Sequence, residues 1–481
     1  MEYETLIGLE VHAQVVTASK MFCGCSADYA HAEPNTHVCP VCLSLPGALP
    51  VVNQRAVDRI AETGLALSCR INPDNVISRK QYFYADLPSN YQRTQYEDPI
   101  CSDGFVEIAA PQGSKRIGIT RVHMEEDTGK SMHTAAASLI DYNRSGVPLM
   151  EIVSEPDIAT PEEARLYLQK LRQILVWLGV NSGSLEDGAF RCDANVSVKP
   201  KGQTKRGTKV EVKNMNSFRS VERALHYEIE RQSAVLEGGG AVEQETRGWD
   251  EVRGVTVSQR TKEQAHDYRY FPDPDIPPLQ LDESWIVQRQ ASLPELPGAR
   301  RDRFVSSFQL SIQDAELLTA ERATADYFEA ATAAGKGQSP KAIANWITGE
   351  LFRLLNDTGE VLDAAAVRLR PEFIGEVAGL VAQGAITGTV AKQVFEESFR
   401  TGRHPTAVVD ARGLRQISDS GAIAAMARDA ITANPKVVDD YRRGKTQSIK
   451  FLVGQVMRAS KGQANPQIVE QALAEGLAET Q

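Results

Sequence analysis

The stretch Ile7–His12, with the sequence Ile-Gly-Leu-Glu-Val-His, decides how the first part of the chain folds. Its apolar side chains alternate with Glu10 and His12, and successive side chains of a β-strand point to opposite faces of the sheet. The stretch therefore predicts a strand with one apolar face and one face that carries a carboxylate and an imidazole. Half-buried strands usually turn mixed small polar residues to solvent, so this pattern indicates a functional face.

The same alternation recurs in the runs 121–127, 191–198 and 209–213. Carboxylates and cations repeat on one side of these runs, and on that side lie Arg121, His123, Glu125, Asp127, Arg191, Asp193, Lys209, Glu211 and Lys213. A sheet face with repeated carboxylates is typical of a surface that binds divalent metals and polyphosphate.

Length and composition indicate a large protein with real hydrophobic cores. The chain has 481 residues, a hydrophobic content of 42% and a formal net charge of −10. This charge excludes a generic polyanion binder, so any contact with nucleic acid must come from local basic patches. The N-terminus lacks the apolar core of a secretory signal, and no run of about 18 apolar residues occurs. We therefore expect a cytoplasmic protein without a membrane span.

Changes of pattern along the chain predict three regions. Residues 1–293 mix strands with a few strong helices, whereas residues 294–407 and 408–481 are helical, rich in Ala, Leu, Glu and Arg. A capping box at Thr160 and Glu163 predicts the start of one helix in the first region.

Two further segments of the first region carry structural signals. Residues 217–236 form a second predicted helix, which stops at a run of three glycines. The proline-dense run 271–278 is expected to cross the surface without regular structure.

Four cysteines lie in two close pairs, Cys23-Gly-Cys25 and Cys39-Pro-Val-Cys42. Such pairs supply the four thiolates of a tetrahedral structural zinc site, although Cys-x-Cys is tighter than the usual spacing. The alternative is four ordinary buried thiols. A closed four-thiolate site has no open coordination position, so we expect a structural zinc, not a catalytic one. Seven cysteines with four of them clustered favour a reducing compartment over a disulfide framework.

Five side chains are candidate ligands of a catalytic metal, namely Glu10, His12, Glu125, Glu151 and Asp193. Hard oxygen ligands favour Mg²⁺, and one imidazole is compatible with it. Any single carboxylate among them could instead be an ordinary surface residue. For Glu151 a surface position is less expected, because it lies in an apolar run, 147–153. Burying a carboxylate there without a partner would cost free energy.

Two aromatic runs, 82–92 and 266–271, stand out in a chain with 6% aromatic residues. They are either packed loops or walls on which an adenine ring or a tRNA terminus stacks. Arg269 could pair there with phosphate or carboxylate. The sequence has no Walker loop, dinucleotide glycine fingerprint or hydrolase elbow, and it lacks the Gly/Ser-rich signature of amidases. If the enzyme consumes ammonia, another subunit makes it.

Several blocks resemble the B-subunit family of aspartyl/glutamyl-tRNA(Asn/Gln) amidotransferases. These blocks are Glu-Val-His at 10–12, Tyr-Phe-Tyr-Ala-Asp-Leu-Pro at 82–88, His-Met-Glu-Glu-Asp-Thr-Gly-Lys at 123–130, Asn-Arg-Ser-Gly-Val-Pro-Leu-Met-Glu-Ile-Val-Ser-Glu-Pro-Asp at 143–157, Arg-Cys-Asp-Ala-Asn-Val-Ser-Val at 191–198, His-Asp-Tyr-Arg-Tyr-Phe-Pro-Asp-Pro-Asp at 266–275 and Phe-Leu-Val-Gly-Gln-Val-Met at 451–457. The resemblance covers essentially the whole chain. Ala85 departs from it, because proline is expected there, but no candidate ligand does.

This resemblance implies an α+β fold with a cradle-shaped antiparallel-sheet catalytic domain, similar to glutamine synthetase and guanidino kinases. A helical domain and a small helical tail domain would follow it. The implied enzyme is a heterotrimeric ligase with an amidase-type glutaminase A subunit and a small C subunit. The B subunit would use ATP to phosphorylate the side-chain carboxylate of Glu-tRNA(Gln) or Asp-tRNA(Asn). Ammonia from the A subunit would then displace the phosphate.

The resemblance also suggests roles for individual residues. His12, Glu125 and Glu151 would hold one Mg²⁺ ion, with Glu10 and Asp193 supporting a second. Contacts to the phosphates of ATP would come from Arg191, Lys209, Lys213 and Arg269. The tail would contact the tRNA through Lys445, Lys450, Arg458 and Lys461. The alternative is that these four form an ordinary solvated helix face.

Two other functions stay open on the sequence. A non-catalytic tRNA-binding scaffold would have no clustered metal ligands, so the polar strand faces count against it. A stand-alone ATP-dependent carboxylate–amine ligase would act on a small metabolite and would need neither helical region. ATP turnover that depends on misacylated tRNA separates all three.

Overall fold

The computed structural model describes residues 2–261, 265–335, 337–366, 368–417 and 419–479. The chain forms two compact units, Met1–Leu296 and Pro297–Gln481. The first unit mixes strands and helices, and the second is helical over its described residues. None of the helices in these ranges combines the length and the apolarity that crossing a membrane requires.

The strands of the first unit are numbered in chain order. They are β1 (Tyr3–Gln14), β2 (Arg70–Ile71), β3 (Asp74–Asn75), β4 (Ser78–Gln81), β5 (Tyr91–Thr94), β6 (Cys101–Ala110), β7 (Gly113–Glu126), β8 (Lys130–His133), β9 (Ser138–Asp141), β10 (Pro148–Ser154), β11 (Phe190–Pro200), β12 (Val210–Lys213), β13 (Glu245–Asp250), β14 (Val255–Thr261), β15 (Phe271–Pro272) and β16 (Leu279–Gln280). The helices of this unit are α1 (Gln54–Ala66), α2 (Pro161–Trp177), α3 (Phe218–Glu237) and α4 (Glu283–Ser292), with a 3₁₀ turn at Ala265–Tyr268.

A nine-stranded sheet forms the centre of the first unit, in the order β14-β13-β12-β11-β1-β10-β7-β6-β2. Neighbouring strands are antiparallel except β12 and β13, which are parallel. Ile7, Leu9 and Val11 of β1 are completely buried, as their alternation predicts. They share one core with residues of α1, α2 and α3. The opposite face of the sheet therefore carries the polar side chains.

Both predicted helices of the first unit are confirmed. Thr160 caps α2, since its Oγ1 accepts a hydrogen bond from the backbone N–H of Glu163 at 3.2 Å. The Glu163 carboxylate accepts from the N–H of Ala159 at 2.8 Å. Ser217 caps α3 in the same way, accepting from the N–H of Ser220 at 3.0 Å. The bonds to the N–H groups of Glu163 and Ser220 satisfy donors that the first turn of a helix leaves without partners.

The prediction for the proline-dense run 271–278 is wrong in part. Residues Phe271–Pro272 form β15, which pairs with β4. Asp273 is 3% exposed, and its Oδ2 accepts hydrogen bonds from Nε of Arg79 at 3.0 Å and Nε of Arg93 at 3.1 Å. These partners are 194 and 180 positions away in sequence, so no local pattern could reveal them.

The second unit consists of helices over its described residues, apart from an isolated bridge between Ile417 and Ala464. Its helices are α5 (Pro297–Phe308), α6 (Ile312–Leu318), α7 (Arg322–Ala334), α8 (Pro340–Asn345), a π-helical segment Trp346–Leu351, α9 (Phe352–Thr358), α10 (Leu362–Ala366), α11 (Pro371–Ala382), α12 (Gly388–Thr401), α13 (Pro405–Arg412), α14 (Ser420–Ala433), α15 (Pro435–Arg442), a 3₁₀ turn Thr446–Ser448, α16 (Ile449–Ala459) and α17 (Pro466–Glu479).

The end of the chain has a small core of its own. Buried residues of α14, α16 and α17, among them Ile423, Leu452 and Leu473, form one hydrophobic cluster. The expected boundary between residues 407 and 408 falls inside α13, whose Val408 and Val409 are fully buried. The division of the chain into three domains stays a prediction.

Candidate active site

The register of the central sheet brings predicted ligands onto one row of its polar face. His12 of β1 lies opposite Glu151 of β10 on one side and opposite Arg191 of β11 on the other. Glu151 in turn lies opposite His123 of β7. Glu125 is two residues further along β7 and therefore points to the same face. Four strands thus contribute to one short row of imidazoles, carboxylates and a guanidinium.

The side chains of this row are close enough to share a metal ion. His12 Nε2 lies 3.5 Å from Glu125 Oε2 and 3.8 Å from Glu151 Oε2. One ligand atom from each of these three residues lies within 4.8 Å of the others. Ligands of one octahedral Mg²⁺ ion, each at about 2.1 Å, are separated by about 3 to 4 Å. The three residues therefore fit such an ion with small adjustments.

The charges of the row depend on one another. Burial by itself would lower the pKa of His12 and of His123, but the neighbouring carboxylates outweigh it and raise both. Burial by itself would raise the pKa of Glu125 and of Glu151, but the two imidazoles lower both. Without a metal ion the carboxylates stay ionised beside protonated imidazoles, and a metal ion bound to His12 would have to displace the proton of that ring.

His123, Gln92 and Thr94 hold the carboxylates of this row, and the sequence reasoning assigned no role to them. His123 Nε2 lies 3.1 Å from Glu151 Oε2. Gln92 Nε2 donates to Glu125 Oε2 at 3.2 Å, and Thr94 Oγ1 donates to Glu125 Oε1 at 2.9 Å. The position of His123 two residues before Glu125 was an available signal. Gln92 and Thr94 reach Glu125 only through tertiary structure.

Glu10 and Asp193 lie one row away and have partners of their own. They face each other across β1 and β11. Asn195 Nδ2 donates to Glu10 Oε1 at 2.7 Å, and Lys213 forms an ion pair with Asp193. Among the described residues, the ligand atoms around His12 that lie within 4.8 Å of one another are those of His12, Glu125 and Glu151, and neither Glu10 nor Asp193 belongs to this group.

A cavity of about 340 Å³ opens over this row, and we call it the first cavity. Its lining consists of His12, Lys80, Tyr82, Tyr84, Gln92, Asp127, Thr128, Leu149, Arg191, Asp193, Lys213 and Tyr268. Arg191 Nη2 donates to the buried Asp127 at 3.2 Å. Two predicted phosphate contacts, Arg191 and Lys213, therefore line the cavity together with Asp193. Asp127 and Lys80 are lining residues to which the sequence reasoning assigned no role.

A second cavity, of about 520 Å³, lies further along the same strands. Glu10 and Asn195 lie on its floor, and the basic loop Lys205–Lys209 contributes to its wall. Lys209 is exposed on this loop and precedes β12, which begins at Val210. The described residues that line the two cavities do not include Arg269, which is exposed.

Comparison with protein families accounts for both parts of the chain. Residues 5–287 match the model described as the GatB/GatE catalytic domain, and residues 326–477 match the model described as the GatB domain. The first match alone spans more than half of the 481 residues. The chain belongs to the GatB/GatE family.

Individual relatives agree with this assignment. A protein of Roseiflexus castenholzii, named as the B subunit of aspartyl/glutamyl-tRNA(Asn/Gln) amidotransferase, is 64% identical, over 99% of this chain and 100% of the relative. Proteins of the same name from Herpetosiphon aurantiacus and Caldanaerobacter subterraneus are 60% and 51% identical, over 98% and 99% of this chain and 98% and 100% of the relatives. The resemblance found in the sequence blocks is confirmed.

The four paired cysteines of this GatB/GatE chain form a second cluster of potential ligands. One sulfur from each of Cys23, Cys25, Cys39 and Cys42 lies within 4.8 Å of the others. Zn–S bonds of about 2.3 Å would place tetrahedral sulfur ligands about 3.8 Å apart, and the Sγ atoms of Cys39 and Cys42 are 3.9 Å apart. The sulfur positions fit a tetrathiolate metal site.

The surroundings of Cys42 favour a thiolate. A hydrogen bond with Cys23 is the largest influence on the pKa of Cys42, and the N–H of Cys39 and the ammonium of Lys20 add to it. Together they outweigh burial and lower this pKa to about 5. Lys20 is completely buried, and its Nζ lies 3.6 Å from Cys42 Sγ. Metal ligation by cysteine requires the thiolate form. The same hydrogen bond raises the pKa of Cys23, so without a metal ion the cluster favours one thiolate, at Cys42.

The predicted tRNA contacts lie in the second unit. Lys445, Lys450, Arg458 and Lys461 are all exposed, on or beside α16. Leu452 and Val456 hold the opposite face of α16 against the tail core. Lys445 Nζ donates to Asp440 at 3.2 Å. The four cations are available to solvent, and their role stays a prediction.

The first aromatic run is partly packed and partly open. Leu87 is buried, whereas Phe83 and Tyr84 are 70% and 55% exposed. Tyr82 and Tyr84 line the first cavity, and their ring centroids are 5.9 Å apart in an edge-to-face arrangement. Leu87 agrees with a packed loop, and the stacking role of the open rings stays a prediction.

Proposed function

We propose that this chain is the B subunit of a tRNA-dependent amidotransferase, a ligase that forms a carbon–nitrogen bond in protein biosynthesis. It acts on the side-chain carboxylate of Glu-tRNA(Gln), Asp-tRNA(Asn) or both, with ATP and with ammonia from a glutaminase subunit. The observation that carries the proposal is the His12–Glu125–Glu151 cluster, which reaches a cavity through His12 within the region matched to the GatB/GatE catalytic domain.

The chemical problem is that a carboxylate oxygen is a poor leaving group. In the first step, a side-chain carboxylate oxygen of the substrate attacks the γ-phosphorus of ATP and forms a C–O–P linkage. The bond from this phosphorus to the bridging oxygen breaks, and ADP leaves with the electron pair. In the second step, ammonia attacks the acyl carbon, phosphate leaves with the C–O electron pair, and one proton passes from nitrogen to phosphate.

His12, Glu125 and Glu151 are the residues that would hold Mg²⁺, and Glu10 with Asp193 would support a second ion. Bound there, the ions would neutralise charge on the phosphate oxygens. Two facts support the assignment of the first group: one ligand atom from each of its three residues lies within 4.8 Å of the others, and Gln92 and Thr94 fix the orientation of Glu125.

We assign the nucleotide to the two cavities together. Arg191 and Lys213 would contact phosphates in the first cavity, and Lys209 would contact them from the basic loop of the second. The loop packs closely against β11 at Gly207. A Cβ at this position would lie 2.2 Å from the carbonyl oxygen of Val198, so only glycine fits. Arg269 is a fourth contact in this proposal, and it would reach phosphate from outside the described cavity walls.

The other parts of the chain receive roles in the same proposal. Residues 1–293 would be a cradle-shaped catalytic domain related in fold to glutamine synthetase and guanidino kinases, which the open polar face of the large sheet supports. Residues 294–407 would be a helical domain. Residues 408–481 would bind the tRNA body through Lys445, Lys450, Arg458 and Lys461, and the cysteine cluster would hold a structural Zn²⁺ ion.

The proposed partners are an amidase-type A subunit, a small C subunit and the misacylated tRNA. We propose a cytoplasmic location for this complex, because misacylated tRNA is its proposed substrate and none of the seven cysteines forms a disulfide.

The decisive experiment uses the chain assembled with its A and C partners. ATP hydrolysis is measured with misacylated tRNA, with correctly acylated tRNA and without tRNA, and hydroxylamine is added to trap the acyl phosphate as a hydroxamate. We expect hydroxamate only with ATP and misacylated tRNA. Turnover with a free amino acid instead of tRNA would favour the stand-alone ligase, and tRNA binding without any ATP turnover would favour the scaffold.

A further inference from the structure

Lys80 is a residue of the first cavity to which the proposed function gives no role. It lies on β4 directly opposite Gln92 of β5, so the two side chains share one face of this small sheet. That face is turned towards Glu125, because Gln92 and, two residues further on, Thr94 both donate hydrogen bonds to the Glu125 carboxylate. Lys80 therefore points towards the carboxylate cluster from the opposite wall.

The three cations of the first cavity differ in their partners. Arg191 pairs with Asp127 at 3.2 Å, and Lys213 pairs with Asp193. Lys80 has no carboxylate within ion-pair distance in the described part of the chain. Its Nζ lies 4.8 Å from the ring centroid of Tyr268 and 5.8 Å from that of Tyr82.

The position of the Lys80 ammonium favours the binding of an anion. Burial by itself would lower the pKa of Lys80, but the nearby charges of Glu125 and Glu151 raise it. A half-buried charge without a direct partner loses part of its hydration at a cost. Aromatic faces recover only a part of that cost. An anionic group in the cavity of about 340 Å³ would complete the arrangement.

We propose that Lys80 is a catalytic residue that binds the phosphoryl group during its transfer from ATP to the substrate carboxylate. The inference rests on the proposed function. While the new O–P bond forms and the bond to ADP breaks, charge spreads over the equatorial phosphoryl oxygens. Lys80 keeps its proton and forms no covalent bond. Its ammonium stabilises those oxygens from the wall opposite Glu125.

The test is Lys80→Met, which keeps an unbranched side chain against Tyr82 and Tyr268 but removes the charge. In the assembled heterotrimer, we expect kcat for tRNA-dependent ATP turnover to fall about 100-fold or more, as for other lost electrostatic contacts to a transition state. Lys80→Arg keeps the charge and should retain more activity than Lys80→Met. Lys201→Met is the matched control, since Lys201 is exposed and pairs with Glu2 at the surface.

Two further measurements separate catalysis from structure. Binding of Mn²⁺ to the cluster, followed by electron paramagnetic resonance, should be the same in Lys80→Met and wild type. Loss of Mn²⁺ binding would make Lys80 a structural residue and overturn the proposal. A kcat within about threefold of wild type would also overturn the proposal. A raised KM for tRNA with unchanged kcat would overturn it too, because that result shows that Lys80 binds the ground state and the transition state equally well.

Hydroxamate trapping distinguishes this inference from the function on which it rests. If the wild-type complex makes no hydroxamate, the proposed function fails and the role of Lys80 fails with it. If the wild type and Lys80→Met make hydroxamate at the same rate, the proposed function stands and only the role of Lys80 fails.

Discussion

The two potential metal sites of the first unit are built in opposite ways. The cysteine cluster takes all its ligands from residues 23–42, on loops outside the central sheet, and only Cys42 among them is buried. The His12 cluster takes one ligand from each of three strands, at positions 12, 125 and 151, and two of its residues are buried. The first site is local in sequence, and the second exists only because the sheet forms.

This difference in construction suggests a difference in use. Four thiolates would close the coordination shell of a zinc ion and leave no place for a substrate. The His12 cluster supplies three ligands and faces a cavity, so positions around a bound ion stay available. The cysteine site should therefore matter for stability, and the His12 cluster for turnover.

The sharpest test of this contrast is Glu125→Gln. We expect tRNA-dependent ATP turnover to fall about 1,000-fold, because the substitution removes a charged metal ligand from a preorganised site. The zinc content and the thermal transition should change little. Glu107→Gln is the matched control, since Glu107 lies on the exposed side of the neighbouring strand β6. Turnover close to that of the wild type would remove Glu125 from the set of essential ligands.

Cys39→Ser should have the opposite profile. We expect the loss of one zinc ion per chain and a stability lower by about 3 kcal/mol, the contribution of a ligand present at a few hundred times its Kd. Below the unfolding temperature, tRNA-dependent ATP turnover should stay within tenfold of wild type, because a closed four-thiolate site has a structural role. Elemental analysis and calorimetry measure these quantities. Freshly purified, unchelated wild-type protein without bound metal would contradict a zinc site.

A third test extends the contrast to the second unit, which lies outside the matched catalytic domain. The double variant Lys450→Ala/Arg458→Ala should raise the KM for misacylated tRNA about tenfold, and the slope of its logarithm against log salt should fall by about one per lost phosphate contact. kcat at saturating tRNA should not change, because phosphate contacts position RNA without performing chemistry. Lys436→Ala, an exposed lysine of the same tail, is the control. Equal salt slopes in the double variant and the wild type would make these cations an ordinary solvated face.

The smallest expected effect is that of a helix-cap variant, which shows how far a modest loss of stability alone changes activity. Thr160→Ala removes the N-cap of α2 and should lower the stability of the first unit by about 1 kcal/mol. Zinc content, KM for tRNA and kcat should all be unchanged. If Thr160→Ala reduces turnover as strongly as Glu125→Gln does, general loss of stability would explain both, and the contrast between the two sites would not hold.

Most periodic and local patterns were read correctly from the sequence, although the proline-dense run 271–278 was not. The alternation in residues 7–12 predicted β1 and its buried side, Thr160 and Ser217 marked the starts of two helices, and the paired cysteines predicted one cluster. Each of these features depends on neighbours a few residues apart. For the rest of the site, the sequence predicted five candidate ligands without saying which of them lie together. The register of the sheet brings His12, Glu125 and Glu151 into one cluster and places Glu10 and Asp193 in the next row.

Only the tertiary structure decided which polar side chains meet. Strand pairing sets His123 against Glu151 and Glu151 against His12, and a small separate sheet brings Gln92 and Lys80 to Glu125. The sequence by itself determined which residue types lie on each face, because side-chain direction in a strand follows its period of two. It did not determine the partners across strands, because register is fixed by how all the strands and helices bury their apolar faces together.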